Sequence, residues 1–218
     1  MKLRSIYFLP VFLIAMAACM PKTEKIKTET KRTTVNLAPQ DEESVATFAS
    51  GCFWCVEEVY ESLLGVREVV SGYSGGKAED ANYEDVSAGR TDHAETVQIY
   101  YDTAIISFAQ LTDAFFSSHD PTTLNQQGPD RGRQYRSIAF YRNEKEKQVI
   151  LDEIKKLNAS GEFDKPIVTE VVPFTAFYPA EEYHQDYIDR HPNDPYVKSV
   201  SKPRFERFKK TYKGTYKD

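Results

Sequence analysis

The sequence is poor in cysteine, tryptophan and net positive charge, and each scarcity argues against a class of protein. Its 218 residues include three cysteines and one tryptophan, and 28 Lys and Arg residues stand against 33 Asp and Glu residues. Three cysteines are too few for a disulfide scaffold, and a net charge of −5 is a poor footprint for binding nucleic acid. The content of 10 glycines, 11 prolines and 40% apolar residues is that of a globular domain. We therefore expect one folded domain with a hydrophobic core and no nucleic-acid partner.

The N-terminus has no apolar run long enough to cross a bilayer. Two basic residues precede 13 largely apolar residues at 6–18, whereas a membrane-spanning helix needs roughly 20. This anatomy predicts a secretory signal peptide over 1–18. The run ends in Met-Ala-Ala-Cys, which resembles the lipobox of bacterial lipoproteins, with Met16 where Leu is commoner. The resemblance implies cleavage before Cys19 and lipidation of that cysteine; an ordinary cleavage site beside a chance cysteine is the alternative.

A polar segment separates this leader from the first apolar strand. Residues 19–44 are rich in Lys, Thr and Glu and have no apolar periodicity. Such a composition cannot bury enough apolar area to offset the entropy cost of ordering, so we predict a flexible tether. A single domain over 45–218 would hang from it. With Cys19 lipidated, the domain would be anchored to a membrane of the bacterial cell envelope, facing the periplasm or the exterior.

The rest of the chain alternates between strand-like and helix-like patterns. Apolar periodicity and turn residues predict strands at 45–49, 66–73, 96–101, 135–141 and 168–172. Helical spacing and capping residues predict helices at 52–64, 107–118, 143–157 and 201–212. This order predicts an α+β fold, a ferredoxin-like split β-α-β plait with additional helices and one further strand in a single domain.

The most informative stretch is Gly-Cys-Phe-Trp-Cys at 51–55. Cys52 is predicted to open a helix, where unpaired backbone amides favour a thiolate, and Cys55 lies one turn later on the same face. The pair alone fits a soft-metal site, a thioredoxin-like site of thiol–disulfide exchange, or a static disulfide. The aromatic side chains of Phe53 and Trp54 would crowd a metal but would wall an apolar pocket beside the sulfur. This favours redox chemistry at Cys52.

Polar residues elsewhere are candidates to complete a site. Glu95 begins an apolar strand, and a carboxyl in a pocket can stay protonated near neutral pH and donate a proton. Its alternative is an exposed glutamate at a strand edge. Tyr83, Asp130 and Tyr135 lie beside turns, where tyrosines usually pack with a hydrated hydroxyl. His184 lies in a dense polar–aromatic cluster and, taken alone, is more typical of a structural histidine.

Four motifs in this order identify a family. GCFWC at 51–55, HAETV at 93–97, DRGRQYRS at 130–137 and YPAEEYHQDY at 178–187 together resemble peptide methionine sulfoxide reductase, class A. The resemblance spans nearly all of residues 48–208. It implies reduction of the S epimer of methionine sulfoxide in proteins, without a metal or a bound organic cofactor.

The resemblance also implies a role for each candidate residue. Cys52 would be the nucleophile, and Glu95 the acid that protonates the sulfoxide oxygen. Both are chemically required, because that oxygen is a poor leaving group until it is protonated. The remaining positions would bind substrate. Phe53 and Trp54 would hold the S-methyl group, and Tyr83 and Tyr135 would hydrogen-bond to the oxygen. Asp130 would support the site, and His184 is counted among the substrate-binding residues.

The resemblance also implies that a second thiol regenerates the nucleophile after each reaction, and Cys55 is the candidate. Many relatives keep a second cysteine near the C-terminus, in a segment like 193–197, where this sequence has Val197 and no cysteine follows Cys55. Attack would leave Cys52 as a sulfenic acid, which Cys55 would resolve as a disulfide. A thioredoxin-like dithiol protein would reopen that disulfide. Further expectations are substrates among oxidised methionine-containing proteins, attachment to the membrane through the lipid, and a monomer.

Overall fold

The computed structural model of the chain describes residues 38–217, which lie within one compact unit. The predicted signal peptide, the lipidation site at Cys19 and most of the predicted tether fall outside these residues. Among the helices of the described part, none combines the length and the apolar character needed to cross a bilayer.

The fold is built on a six-stranded sheet, and a separate hairpin has two strands of two residues each. The strands are β1 (Glu43–Ser50), β2 (Val66–Ser74), β3 (Ala94–Asp102), β4 (Gln126–Gln127), β5 (Asp130–Arg131), β6 (Ser137–Tyr141), β7 (Glu170–Pro173) and β8 (Tyr178–Pro179). The helices are α1 (Phe53–Glu61), α2 (Tyr83–Ser87), α3 (Phe108–Ser117), α4 (Glu144–Ser160), α5 (Tyr187–Arg190) and α6 (Lys202–Thr211).

The sheet topology is that of the predicted plait. The strand order is β7-β6-β1-β3-β2-β8, and β1 runs antiparallel to both β3 and β6. The central strands β6-β1-β3-β2 form a split β-α-β arrangement, with α1 connecting β1 to β2 and α3 lying between β3 and β6. The additional strand β7 pairs parallel to β6 at one edge, and β8 pairs with β2 at the other. The predicted α+β class and plait are confirmed.

The helix ends follow their capping residues. Ser107 forms a capping box with Gln110 at the start of α3, and the Asn143 side chain caps α4. Helix α1 ends at Glu61, three residues earlier than predicted. At the C-terminus, a π-helical turn over Val197–Ser201 precedes α6, so the predicted helix from 201 has an irregular first turn.

The core lies between the sheet and the helices α1 and α3. Phe48 on β1 stacks on Tyr60, Phe108 and Phe115, with ring centroids 4.9 to 5.8 Å apart. Val56 and Val59 of α1 are fully or almost fully buried in the same cluster. Burial of a side chain of this size contributes on the order of 1.5–3 kcal/mol. Helix α1, which carries Cys55 and begins directly after Cys52, is therefore fixed to the sheet.

A glycine allows the sharp turn from β1 into α1. Gly51 has φ +95°, a backbone conformation that residues with a Cβ rarely adopt. A Cβ there would also lie 2.7 Å from Cβ and Cγ of Gln127. Gly51 thus lets the hairpin residue Gln127 approach the turn and places Cys52 directly before the first residue of α1.

Candidate active site

A cavity of about 320 Å³ opens at the N-terminus of α1. Its lining residues come from separate parts of the chain: Cys52, Phe53, Trp54, Tyr83, Glu95, Asp130, Tyr135, Tyr187, Asp194 and Tyr196. The fold thus brings the first seven of these, all singled out from the sequence, around one space. Of the other predicted site residues, Cys55 and His184 lie behind this lining rather than in it.

Glu95 supplies a buried carboxyl next to the α1 N-terminus. Its side chain is on β3, the residue is 2% exposed, and Oε2 accepts a hydrogen bond from the Phe53 backbone N–H at 3.0 Å. Burial raises the pKa of Glu95 to about 8, against the lowering effect of the Phe53 hydrogen bond; the charges of Asp130 and Cys55 raise it further. Glu95 is therefore mostly protonated at neutral pH, so it holds a proton to donate.

The surroundings of Cys52 do not favour the thiolate predicted from the sequence. It occupies the N-cap position of α1, but its side chain makes no capping hydrogen bond, and the Phe53 amide serves Glu95 instead. Burial raises the pKa of Cys52 well above its ordinary value, and Cys55 and Glu95 raise it further, while a Tyr196 hydrogen bond opposes them. These effects act against the thiolate that the sequence predicts at Cys52.

The neighbours of Cys55 favour its charged form. The two thiols are free and buried, and they share a hydrogen bond. That bond from Cys52 lowers the pKa of Cys55 to about 6, with help from the positive charge of Arg204 and from Ser201, whose Oγ lies 3.2 Å from Cys55 Sγ. Burial acts in the opposite direction. The two thiols therefore titrate as a coupled pair, in which the surroundings of Cys55 favour its ionised form and those of Cys52 do not.

Tyrosine hydroxyls supply the remaining polar groups of the cavity. Burial raises the pKa of Tyr83 to about 12 and raises the pKa of Tyr135 as well, and the negative charges that Glu95 and Cys52 acquire at alkaline pH add to both shifts. Both hydroxyls therefore keep their protons and can act as hydrogen-bond donors at every physiological pH. The Tyr196 hydroxyl donates to Asp130 Oδ2 at 2.6 Å, which fixes the hairpin of β4 and β5 to the segment before α6.

Aromatic rings form an apolar wall beside the sulfur. Phe53 and Trp54 have ring centroids 6.1 Å apart, and Trp54 stacks on Tyr187 at 3.7 Å with an interplanar angle of 7°. The Trp54 Nε1–H donates to Nδ1 of His184 at 3.2 Å. Burial lowers the pKa of His184 to about 4, so its ring is neutral and accepts this bond. His184 therefore supports the wall from behind.

Sequence reasoning missed three residues that line the cavity, namely Tyr187, Asp194 and Tyr196. Tyr187 is the last residue of the polar–aromatic cluster at 178–187. Its ring stacks on Trp54, so this part of the cluster forms the wall of the cavity. Asp194 Oδ1 accepts hydrogen bonds from the backbone N–H groups of Tyr196 and Val197, at 2.8 and 3.2 Å. It therefore caps the turn that delivers Tyr196 to the site.

The chain is similar to proteins of one family in its sequence and in its fold. A family model described as peptide methionine sulfoxide reductase matches residues 44–216. The peptide methionine sulfoxide reductase MsrA 2 of Synechocystis sp. is 49% identical over 173 residues, which cover 79% of this chain and 81% of the relative. The Thermus thermophilus peptide methionine sulfoxide reductase MsrA is 45% identical over 172 residues, covering 79% and 97%.

Solved structures with a similar fold include proteins of the same kind. The reduced form of Mxr1 from Saccharomyces cerevisiae superposes with a TM-score of 0.66 at 35% identity, covering 72% of this chain and 91% of that one. Methionine sulfoxide reductase A of Corynebacterium diphtheriae gives a TM-score of 0.64 at 29% identity, covering 71% and 78%.

Proposed function

Because the chain belongs to the peptide methionine sulfoxide reductase family, we propose that it reduces the S epimer of methionine sulfoxide in proteins and peptides through Cys52 and Cys55. The observation that carries this proposal is a single cavity lined by the sulfur of Cys52, the protonated carboxyl of Glu95 and an aromatic wall. A sulfoxide presents one group to each of them: an electrophilic sulfur, a basic oxygen and a methyl group.

The cavity accepts the substrate in one orientation. The S-methyl group lies against Phe53 and Trp54, and the oxygen points to Glu95, with Tyr83 and Tyr135 as further donors. Because the three substituents of the sulfoxide sulfur are held by different walls, the opposite epimer would exchange oxygen and methyl. A carboxyl would then face a methyl group, and the loss of such a polar contact weakens the transition state strongly.

Sulfoxide reduction then proceeds by attack of Cys52. Its sulfur bonds to the sulfoxide sulfur while its proton passes to Cys55, which already shares that hydrogen bond. Glu95 gives its proton to the oxygen as the original sulfur–oxygen bond breaks. The protonated oxygen is transferred to the Cys52 sulfur as the transient bond between the two sulfurs breaks, so methionine leaves as the thioether and Cys52 becomes a sulfenic acid. The substrate gains two electrons and the Cys52 sulfur loses two.

Cys55 closes the cycle. It returns its proton to Glu95 and attacks the Cys52 sulfur as a thiolate, so that a disulfide forms and the sulfenic oxygen leaves as water with the Glu95 proton. A dithiol protein of thioredoxin type reduces the disulfide and becomes a disulfide itself, and its two protons restore the Cys52 thiol and the Glu95 carboxyl. We propose no metal and no organic cofactor for this cycle, and a monomer as the working unit.

The sequence before the domain supports a cellular location. We propose that Cys19 is lipidated after removal of the leader and that 19–44 tethers the enzyme to a membrane of the bacterial cell envelope. Its substrates would then be oxidised envelope proteins, on the periplasmic or exterior side. Metabolic labelling with a fatty acid tests this: Cys19→Ala should lose the label and leave the membrane fraction, and an unchanged membrane fraction would contradict the anchor.

One single-turnover experiment tests the chemistry. The reduced chain is mixed with excess methionine sulfoxide peptide without any reductant, and methionine and free thiols are counted. We expect one methionine for each chain and a disulfide that joins Cys52 to Cys55 in peptide mapping. A chain that forms no methionine, or that forms it without losing both thiols, would contradict the proposal.

A further inference from the structure

Two residues outside the lining of the substrate cavity act on Cys55. Ser201 Oγ is 3.2 Å from Cys55 Sγ, and both residues are buried. Arg204 is 6% exposed and acts on Cys55 through its charge. Neither residue lines the cavity at Cys52. Ser201 thus contacts the sulfur of Cys55 directly. The charge of Arg204 acts both on Cys55 and on Asp130, a carboxyl of the cavity lining whose own charge raises the pKa of Cys55.

The charge of Arg204 is held in place by neutral groups. Its Nε donates to the carbonyl oxygen of Ser118 at 2.8 Å, and Nη2 donates to the carbonyl oxygen of Ser50 at 2.8 Å and to Ser50 Oγ at 3.3 Å. These partners fix the guanidinium but carry no negative charge of their own. A buried cation in such surroundings stabilises a nearby anion more than a solvated one does.

Ser201 reaches Cys55 from an irregular turn. It is the last residue of the π-helical turn Val197–Ser201, directly before α6. The extra residue in a π turn shifts the side chains that follow it around the helix axis, and such turns are frequent at functional sites. When Cys55 is ionised, the rotatable Ser201 hydroxyl can only donate to it, which gives a charge-assisted hydrogen bond.

We propose that Ser201 and Arg204 are positioning residues that keep Cys55 as a thiolate, both when it attacks the Cys52 sulfenic acid and when it leaves the disulfide. The inference rests on the proposed function, whose disulfide it uses. In the attack, the Cys55–Cys52 bond forms, the sulfur–oxygen bond of the sulfenic acid breaks, and the oxygen leaves as water.

The same pair decides where the external reductant attacks. A disulfide sulfur is displaced faster when the departing thiolate is the more stable one. Cys55, beside Ser201 and Arg204, is the better leaving group, and Cys52 is the sulfur that lines the emptied cavity. The dithiol protein therefore bonds to Cys52, the Cys52–Cys55 bond breaks, and its second thiol then releases Cys52.

The first test follows disulfide formation against pH in the full chain after a single turnover. Ser201→Ala removes the hydroxyl, and Ser201→Thr is the matched control that keeps it. A hydrogen bond to an ionised group contributes at least about tenfold to the equilibrium. We expect the rate to rise with pH in the wild type, with a midpoint at the pH where the Cys55 thiol ionises. In Ser201→Ala this midpoint should move up by about one pH unit, and in Ser201→Thr it should stay in place.

The outcomes separate the two proposals. If the wild type forms no methionine, the proposed function fails. If the wild type forms one methionine per chain and Ser201→Ala keeps the wild-type pH midpoint, the function stands and the inference is overturned. A loss of folding stability alone would lower the amplitude without moving the midpoint.

The second test maps the mixed disulfide. The oxidised chain is mixed with a thioredoxin-type protein whose second cysteine is replaced by serine, so that the first intermediate accumulates. Peptide mapping should find the bond at Cys52. A bond at Cys55 would overturn the inference that Cys55 is the leaving group.

Discussion

Replacing Glu95 with glutamine tests the proton-donating step most specifically. The glutamine carbonyl oxygen can still accept the 3.0 Å hydrogen bond from the Phe53 amide, so the side chain keeps its place at the α1 N-terminus. Its amide can hydrogen-bond to the sulfoxide oxygen but cannot transfer a proton to it. General-acid catalysis contributes about 10²- to 10⁴-fold, so Glu95→Gln should slow methionine formation by that factor, or about 2.7–5.4 kcal/mol of transition-state stabilisation.

The prediction also fixes the direction in which the rate changes with pH. The acid form of Glu95 is present below its pKa of about 8 and is lost above it. In rapid-quench single turnovers without reductant, the wild-type rate should therefore fall about tenfold for each pH unit above 8. Glu95→Gln has no such proton to lose, so this alkaline decline should disappear. A glutamine variant with the wild-type rate, or a wild-type rate that keeps rising beyond pH 9, would refute the reasoning.

Three further predictions concern recycling, the wall and the turn. Cys55→Ser should form one methionine per chain and then stop, even with a thioredoxin-type donor; repeated turnover would contradict its role. Trp54→Phe keeps a ring in the wall but leaves His184 Nδ1 without its donor, which should lower kcat/KM about tenfold, or about 1.4 kcal/mol, in steady-state assays. Gly51→Ala should lower the free energy of unfolding by about 2–5 kcal/mol from backbone strain and overlap. Gly161→Ala, with positive φ in open space, should cost about 1 kcal/mol in the same urea titrations.

Much of the fold follows from local patterns in the sequence. The alternating strands and the capping residues Ser107 and Asn143 fix the order of elements, and that order leads to the plait. The short elements were out of reach: α5 is four residues long and begins after Asp186, which has φ +51°. Such segments have too few residues to show periodicity, and tertiary contacts hold them in place.

The candidate site, like the fold, was predictable from the sequence only in part. Motif residues such as Glu95 and Tyr135 converge on one cavity as expected, because they end or flank strands that meet beside α1. A helix N-terminus predicts that backbone amides stabilise the Cys52 sulfur, whereas in the structure the Phe53 amide donates to Glu95. Burial and a neighbouring thiol then decide the ionisation, and neither can be read from the spacing of two cysteines.

The most direct test of the account offers the enzyme each epimer of a methionine sulfoxide peptide separately, with dithiothreitol as reductant. We predict reduction of the S epimer by the wild-type chain, negligible reduction of the R epimer, and no reduction of either by Cys52→Ser. Equal consumption of both epimers, or an active Cys52→Ser variant, would contradict the claim that one cavity presents a single sulfur, an acid and a methyl wall to the substrate.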